Sequence, residues 1–131
     1  MKKIFHNTDL GLLIFRLFVG LSMAFAHGLG KLPPPEQLVQ GVTSMGFPMP
    51  IVFAWAAALA EFIGALLIAV GFMTRYAAAS LGFTMAVAAL VVHGADPFQV
   101  KELAFMYLFA SILFIFTGAG KYSIDSKVCK K

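Results

Sequence analysis

Four apolar runs separated by short polar links leave this chain few ways to fold. They cover roughly Leu10–Gly30, Ile51–Met73, Tyr76–His93 and Leu103–Gly118. A helix that crosses the hydrocarbon layer of a bilayer needs about 20 mostly apolar residues. Inside that layer the backbone must satisfy its own hydrogen bonds, which an α-helix does. The runs therefore predict four transmembrane helices. The last two are short for a core about 30 Å thick and are expected to stand nearly upright. Composition agrees, with 60% hydrophobic and 12% charged residues, against roughly 25% charged in a soluble domain. The 131 residues are enough for one domain. The expectation is a single all-α unit over 1–131, an integral membrane four-helix bundle.

The links refine this picture. Met73-Thr74-Arg75-Tyr76 is short enough to make an antiparallel hairpin of the second and third spans. The third link, "HGADPFQVKE", holds Gly94 and Pro97, both helix stoppers. The first link, "KLPPPEQLVQGVTSMGFPMP", is longer. Pro35 can open a helix with Glu36 in its first turn, Leu38, Val39, Val42 and Met45 repeat at helical spacing, and Gly46 can end the run. This predicts a short amphipathic helix in the first outer loop, lying at the membrane surface.

Net charge is +4. A nucleic-acid binder needs a basic face or stripe. Here the cations gather near the ends, at Lys2, Lys3, Lys121, Lys127, Lys130 and Lys131. That placement fits topology and anionic headgroups, so no nucleic-acid partner is expected. With four spans, both termini and Arg75 share one side, while Lys31 and Lys101 lie on the other beside Glu36, Asp96 and Glu102. The asymmetry predicts that both termini are cytoplasmic. Lys2 and Lys3 before an apolar run, with Ala24-Phe25-Ala26 after it, imitate a signal peptide. Arg16 breaks the segment where such a peptide should be most uniform, so an uncleaved first span is expected. Cys129 is the single cysteine, which rules out an internal disulfide, and its expected role is that of a solvated spectator thiol.

Polar residues inside the spans are the functional candidates, since charge in a membrane is costly and rarely idle. With a rise of about 1.5 Å per residue, Arg16 lies about 9 Å and His27 about 25 Å from the start of the first span, on nearly the same face. Gly20 and Met23 share that face. Glu61 falls near the midplane on the second span, in line with Gly64, Ile68 and Gly71. Arg16 and Glu61 differ by about 6 Å in depth, within an arginine's reach, so a structural ion pair is expected. The alternative is Arg16 snorkelling alone to the headgroups. The outer half collects His27, Lys31, Glu61, His93, Glu102 and Tyr107. These predict a polar pocket, roofed by the first loop, for an amphipathic small molecule. A purely structural belt of interfacial residues is the competing reading. No short-spaced ligand motif supports a metal, and none is expected.

The residues so reached resemble the DoxX family of small membrane proteins. The matching pieces are "RLFVGLSMAFAHGLGKL", "GFPMPIVFAWAAALAEFIGALLIAVGFMTRYAA", "HG" and "KELAFMYLFASILFIFTGAGKYSID", in an order that covers nearly the whole chain. "AEFIGALLIAVGFMTRYAA" is the most specific of them. The matching positions are Arg16, Gly20, His27, Gly28, Lys31, Glu61, Gly64, Gly71, Arg75, Tyr122 and Asp125. The resemblance implies a four-helix protein of a bacterial inner membrane. It also implies a quinone-linked role, since some members are subunits of quinone-reducing oxidoreductases of the thiosulfate:quinone type and others are linked to oxidative stress.

The chain carries no cysteine pair, haem motif or dinucleotide fingerprint. Redox groups would have to come from a bound quinone or a redox partner protein, so no intrinsic haem, flavin or Fe–S site is expected. Two function classes remain. One is a quinone-linked membrane subunit or anchor of an oxidoreductase or oxidative-stress system, with His27 and His93 bonding quinone carbonyls and Glu61 handling protons. The other is a non-redox binding or chaperone-like module for a lipid or small amphiphile. The bilayer is the certain partner, and a homo-oligomer is compatible with either class.

Overall fold

The computed structural model describes residues 7–128. The terminal lysines Lys2, Lys3, Lys130 and Lys131, together with His6 and Cys129, lie outside them. Four helices are long and apolar enough to span a membrane: α1 (Thr8–Lys31), α3 (Pro50–Val70), α4 (Thr74–Val92) and α5 (Phe98–Thr117). A short α2 (Glu36–Ser44) joins the first two, and α6 (Ile124–Val128) follows the last. The described residues contain no strand.

Local sequence explains most boundaries. The Asn7 side chain accepts from the Leu10 amide at 3.0 Å, and Asp9 sits in the first turn, where helix N-termini favour negative charge. Pro50 opens α3 at a position whose N–H needs no partner. The α2 helix follows Pro35, begins at Glu36 and gives way at Gly46, whose φ is +83°, as the spacing predicts. Pro97 starts α5 earlier than expected, so Lys101 and Glu102 fall inside the helix rather than in the link. Charges at a helix end can reach headgroups, and hydropathy alone underrates such turns. With 20 residues, α5 is about 30 Å long and matches the full hydrocarbon thickness, so the short fourth span is corrected.

The α1 helix packs on the second half of α3, and α4 lies against α3 and along α5. Val19, Met23, Ala24, Ala65, Ile68, Ala78, Leu81, Met85 and Phe114 form the shared core. The alanines among them, Ala24, Ala65 and Ala78, let helices approach closely where lipid supplies no hydrophobic drive between them. The outer faces carry large exposed apolar side chains such as Phe18, Phe83 and Phe116. Apolar surface on this scale suits acyl chains.

One end of the bundle is closed by the C-terminal segment. Arg16 is fully buried. Its Nη1 donates to the carbonyls of Ile68 and Ala69, both at 3.4 Å, and its Nη2 donates to the Tyr122 carbonyl at 2.6 Å. Asp125 accepts from the amides of Met73 and Thr74 at 2.8 and 3.0 Å, at the start of α4, and its own amide donates to the Gly71 carbonyl at 2.8 Å. Asp9 accepts from the Lys121 amide at 2.9 Å. Gly71 has φ +73° and faces the Arg16 guanidinium, so any side chain there would occupy the space of Arg16. Burial opposes the ionisation of Asp125. The hydrogen bonds from Thr74 and Met73 and the charge of Arg16 outweigh that effect and hold its carboxyl below the ordinary carboxylate range.

Candidate functional site

At the other end, three of the four spans loosen into π-helical turns. These cover Met23–Gly28 in α1, Ala60–Gly64 in α3 and Ala88–Val92 in α4. Such turns widen a helix by one residue and occur often at functional sites. The α1 and α3 turns touch each other. A Cβ on Gly28 would come within 2.8 Å of the Phe62 backbone, so glycine is what lets α1 approach the segment that carries Glu61. A tight 3₁₀ turn, Leu29–Lys31, then ends α1.

Lys31 lies over Glu61. Its Nζ donates to Oε1 at 2.9 Å and to Oε2 at 2.8 Å. The Glu61 side chain is 4% exposed and that of Lys31 is 36% exposed. A buried carboxylate thus meets a cation that is still partly open to its surroundings.

Two cavities flank this pair. The larger, about 320 Å³, lies between α2, α3 and α4. Leu38, Val42 and Met45 roof it from α2, while Phe53 and Ala57 face Phe83, Thr84 and Val87 across it. The smaller, about 160 Å³, lies between α1, α4 and α5 and is lined by Met23, His27, Met85, Leu103 and Tyr107 among others. Lys31, Glu61, Ala88 and His93 line both. The ion pair therefore stands in the wall between an apolar chamber and a more polar one. In the polar chamber His27 meets the Tyr107 ring edge-on, with centroids 5.7 Å apart. His93 has a local partner, its Nδ1 lying 2.9 Å from Asp96 Oδ2.

Of the six residues expected to gather here, His27, Lys31, Glu61, His93 and Tyr107 share the polar chamber. Glu102 does not join them. It is exposed on α5 and lines neither chamber. The expected Arg16–Glu61 pair is not formed either. Among the described residues, Glu61 pairs with Lys31 and Arg16 bonds backbone carbonyls. Helical side chains lean toward the N-terminus of their own helix. Arg16 on α1 therefore leans away from Glu61 and meets carbonyls about 10 Å further along α3. By the same rule Lys31, at the far end of α1, leans back into the bundle and onto Glu61. Depth arithmetic placed the residues but carried no side-chain direction. The apolar chamber has a sequence signal only in part, in the periodic Leu38, Val42 and Met45 of α2.

The arrangement offers an ammonium, two imidazoles and a phenol around one carboxylate, beside an apolar space. It is suited to a small polar head with acceptor oxygens and an apolar extension. Among the described residues, no three His, Cys, Asp or Glu side chains converge as a metal site.

Comparison with known proteins places the chain. An Escherichia coli relative, inner membrane protein YqjF, is 33% identical across all of this chain and 99% of its own length. A Haemophilus influenzae relative, an uncharacterized protein, is 34% identical over 91% of this chain and 92% of its own. A Bacillus subtilis relative bearing the name "Putative oxidoreductase CatD" is 30% identical over 95% of this chain and 91% of its own. No solved structure matches. The DoxX family model matches residues 11–94, a stretch that begins in α1 and carries His27, Lys31, Glu61 and His93, and with it this multi-pass membrane protein belongs to the DoxX family.

Proposed function

We propose that the protein is a quinone-binding membrane subunit of an oxidoreductase or oxidative-stress system, seated in the inner membrane with both termini cytoplasmic. The observation that supports this reading is the Lys31–Glu61 pair in the wall between a polar and an apolar chamber. A quinone has the matching form, with carbonyl oxygens on one part and an apolar chain on the other. In this reading His27 and Lys31, which line the polar chamber with His93, donate to a carbonyl, and Glu61 takes or gives a proton. The bound quinone would supply the electron-accepting chemistry, and a redox partner protein the electrons. The name carried by the Bacillus relative is consistent with this assignment.

The test is solvent extraction of protein purified in mild detergent, with the extract read by mass spectrometry. Quinone should co-purify with the wild type in near-stoichiometric amount. His27→Ala should fold but lose quinone about fivefold, the effect of a lost hydrogen bond of roughly 1 kcal/mol. His6→Ala is the control and should retain it. Equal loss in both variants, or a tightly held non-redox lipid in place of quinone, would replace this reading with that of a lipid-binding module.

A further inference from the structure

The apolar chamber does not end at its own walls. A shallower groove of about 360 Å³ continues from it between α3 and α4, past Ile63 and Leu67 to Met73 and Tyr76. It shares Ala56, Ala60 and Ser80 with the apolar chamber, just as that chamber shares Lys31, Glu61 and His93 with the polar one. The three spaces thus lie in a row, each sharing part of its lining with the next, and the Lys31–Glu61 pair stands between the first two. From His93 to Tyr76 along α4 the path covers about 25 Å, most of a hydrocarbon layer. Phe83, which lines the middle space, is 67% exposed on the bundle's outer surface, so the path lies open to lipid along this side.

From this row of spaces we infer that the α3–α4 seam is the binding lane for a long isoprenoid tail. The ring of the same quinone lies in the polar chamber, and its tail bends past the Lys31–Glu61 pair, under α2, and runs down the seam. This rests on the function proposed above. A row of spaces with its polar groups at a single end fits one amphiphile that displaces the partly exposed Lys31 ammonium better than two separate ligands. It also gives α2 a task, since its apolar face covers the bend. Entry is sideways from the bilayer, so the ligand need not pass through water.

The lane predicts that affinity depends on tail length. The probes are a tritiated benzoquinone with a long isoprenoid chain and the same ring with a short alkyl chain, titrated onto protein in lipid nanodiscs. Both tails are already dissolved in lipid, so the preference comes from packing alone and should be modest, about three- to tenfold for the long chain. Ile63→Trp, at an exposed position on the seam outside the apolar chamber, should abolish that preference while leaving the short-chain probe within about twofold of wild type, as expected of a surface change. Leu59→Trp repeats the block about one turn away, should Ile63→Trp fold poorly. Equal wild-type affinity for the two probes, or equal weakening of both by the seam variants, overturns the lane and leaves the ring site standing. Failure of both probes to bind the folded wild type overturns the lane and the proposed function together.

Discussion

Each end of the bundle buries a charged group, but the two ends satisfy it by different means. At the Arg16 end the charge is held by three backbone carbonyls, a glycine makes room for it, and a segment from the far end of the chain covers it. At the Lys31 end a carboxylate is held by one flexible side chain, and two cavities open beside it. Backbone partners cannot move without unfolding something. A lysine on four rotatable bonds can swing. The first arrangement locks the bundle, and the second leaves a partner that a ligand can replace. A buried ion in a membrane helix is therefore read as functional or structural from the mobility of what answers it, more than from its depth.

Variants can break or sharpen this contrast. The largest effect is expected from Arg16→Ala, which takes a donor from three carbonyls and the cation from near the Asp125 carboxylate. It should cost about 3 kcal/mol or more, read as lost thermal stability in detergent, with quinone binding lost only in proportion to the unfolded fraction. Asp125→Asn comes next, at about 1–2 kcal/mol, because Asp125 caps α4 from a distance. Its carboxyl is held below its unfolded value of about 3.9. The stability it contributes is therefore complete above that value and lost as pH falls through the lower folded one. Thermal melts below about pH 4 should show a shallower acid decline in Asp125→Asn than in the wild type.

The third variant, Lys31→Met, leaves the buried Glu61 carboxylate without its cation and should cost about 1–2 kcal/mol. It should nonetheless abolish quinone co-purification. If it unfolds the protein as Arg16→Ala does, or leaves binding intact, the contrast between the ends fails. Glu102→Gln is the smallest, with stability and binding within about 0.5 kcal/mol of wild type.

Much of this architecture could be read from residues alone. Apolar runs of spanning length permit little except helices, and Pro35, Glu36 and Gly46 bracket α2 with few alternatives. Five of six candidate pocket residues were legible because charge and imidazole in an apolar run stand out. The partners of Arg16 and Glu61 were not. Hydropathy gives depth along a helix, whereas partner choice depends on rotation and side-chain lean, and the π turns shift that rotation without leaving a composition signal. The locking role of Tyr122 and Asp125 was hidden for another reason. Tyr122 acts through its carbonyl, which any residue has, and Asp125 is one acidic residue in a polar tail.

The Arg16 lock also has a consequence in time. Its donors and acceptors are far apart in the order of synthesis, since Asp9 and Arg16 are made more than 100 residues before Lys121, Tyr122 and Asp125. All four spans can enter the membrane before the lock exists. Until residue 122 emerges, Arg16 has only part of its coordination, and until residue 125 emerges the start of α4 has no cap. A chain that stops at Gly118 would carry every transmembrane helix and the whole proposed quinone site, yet remain loosely closed and open to membrane proteases. The segment around Tyr122 and Asp125 thus closes the bundle only after every span has been made.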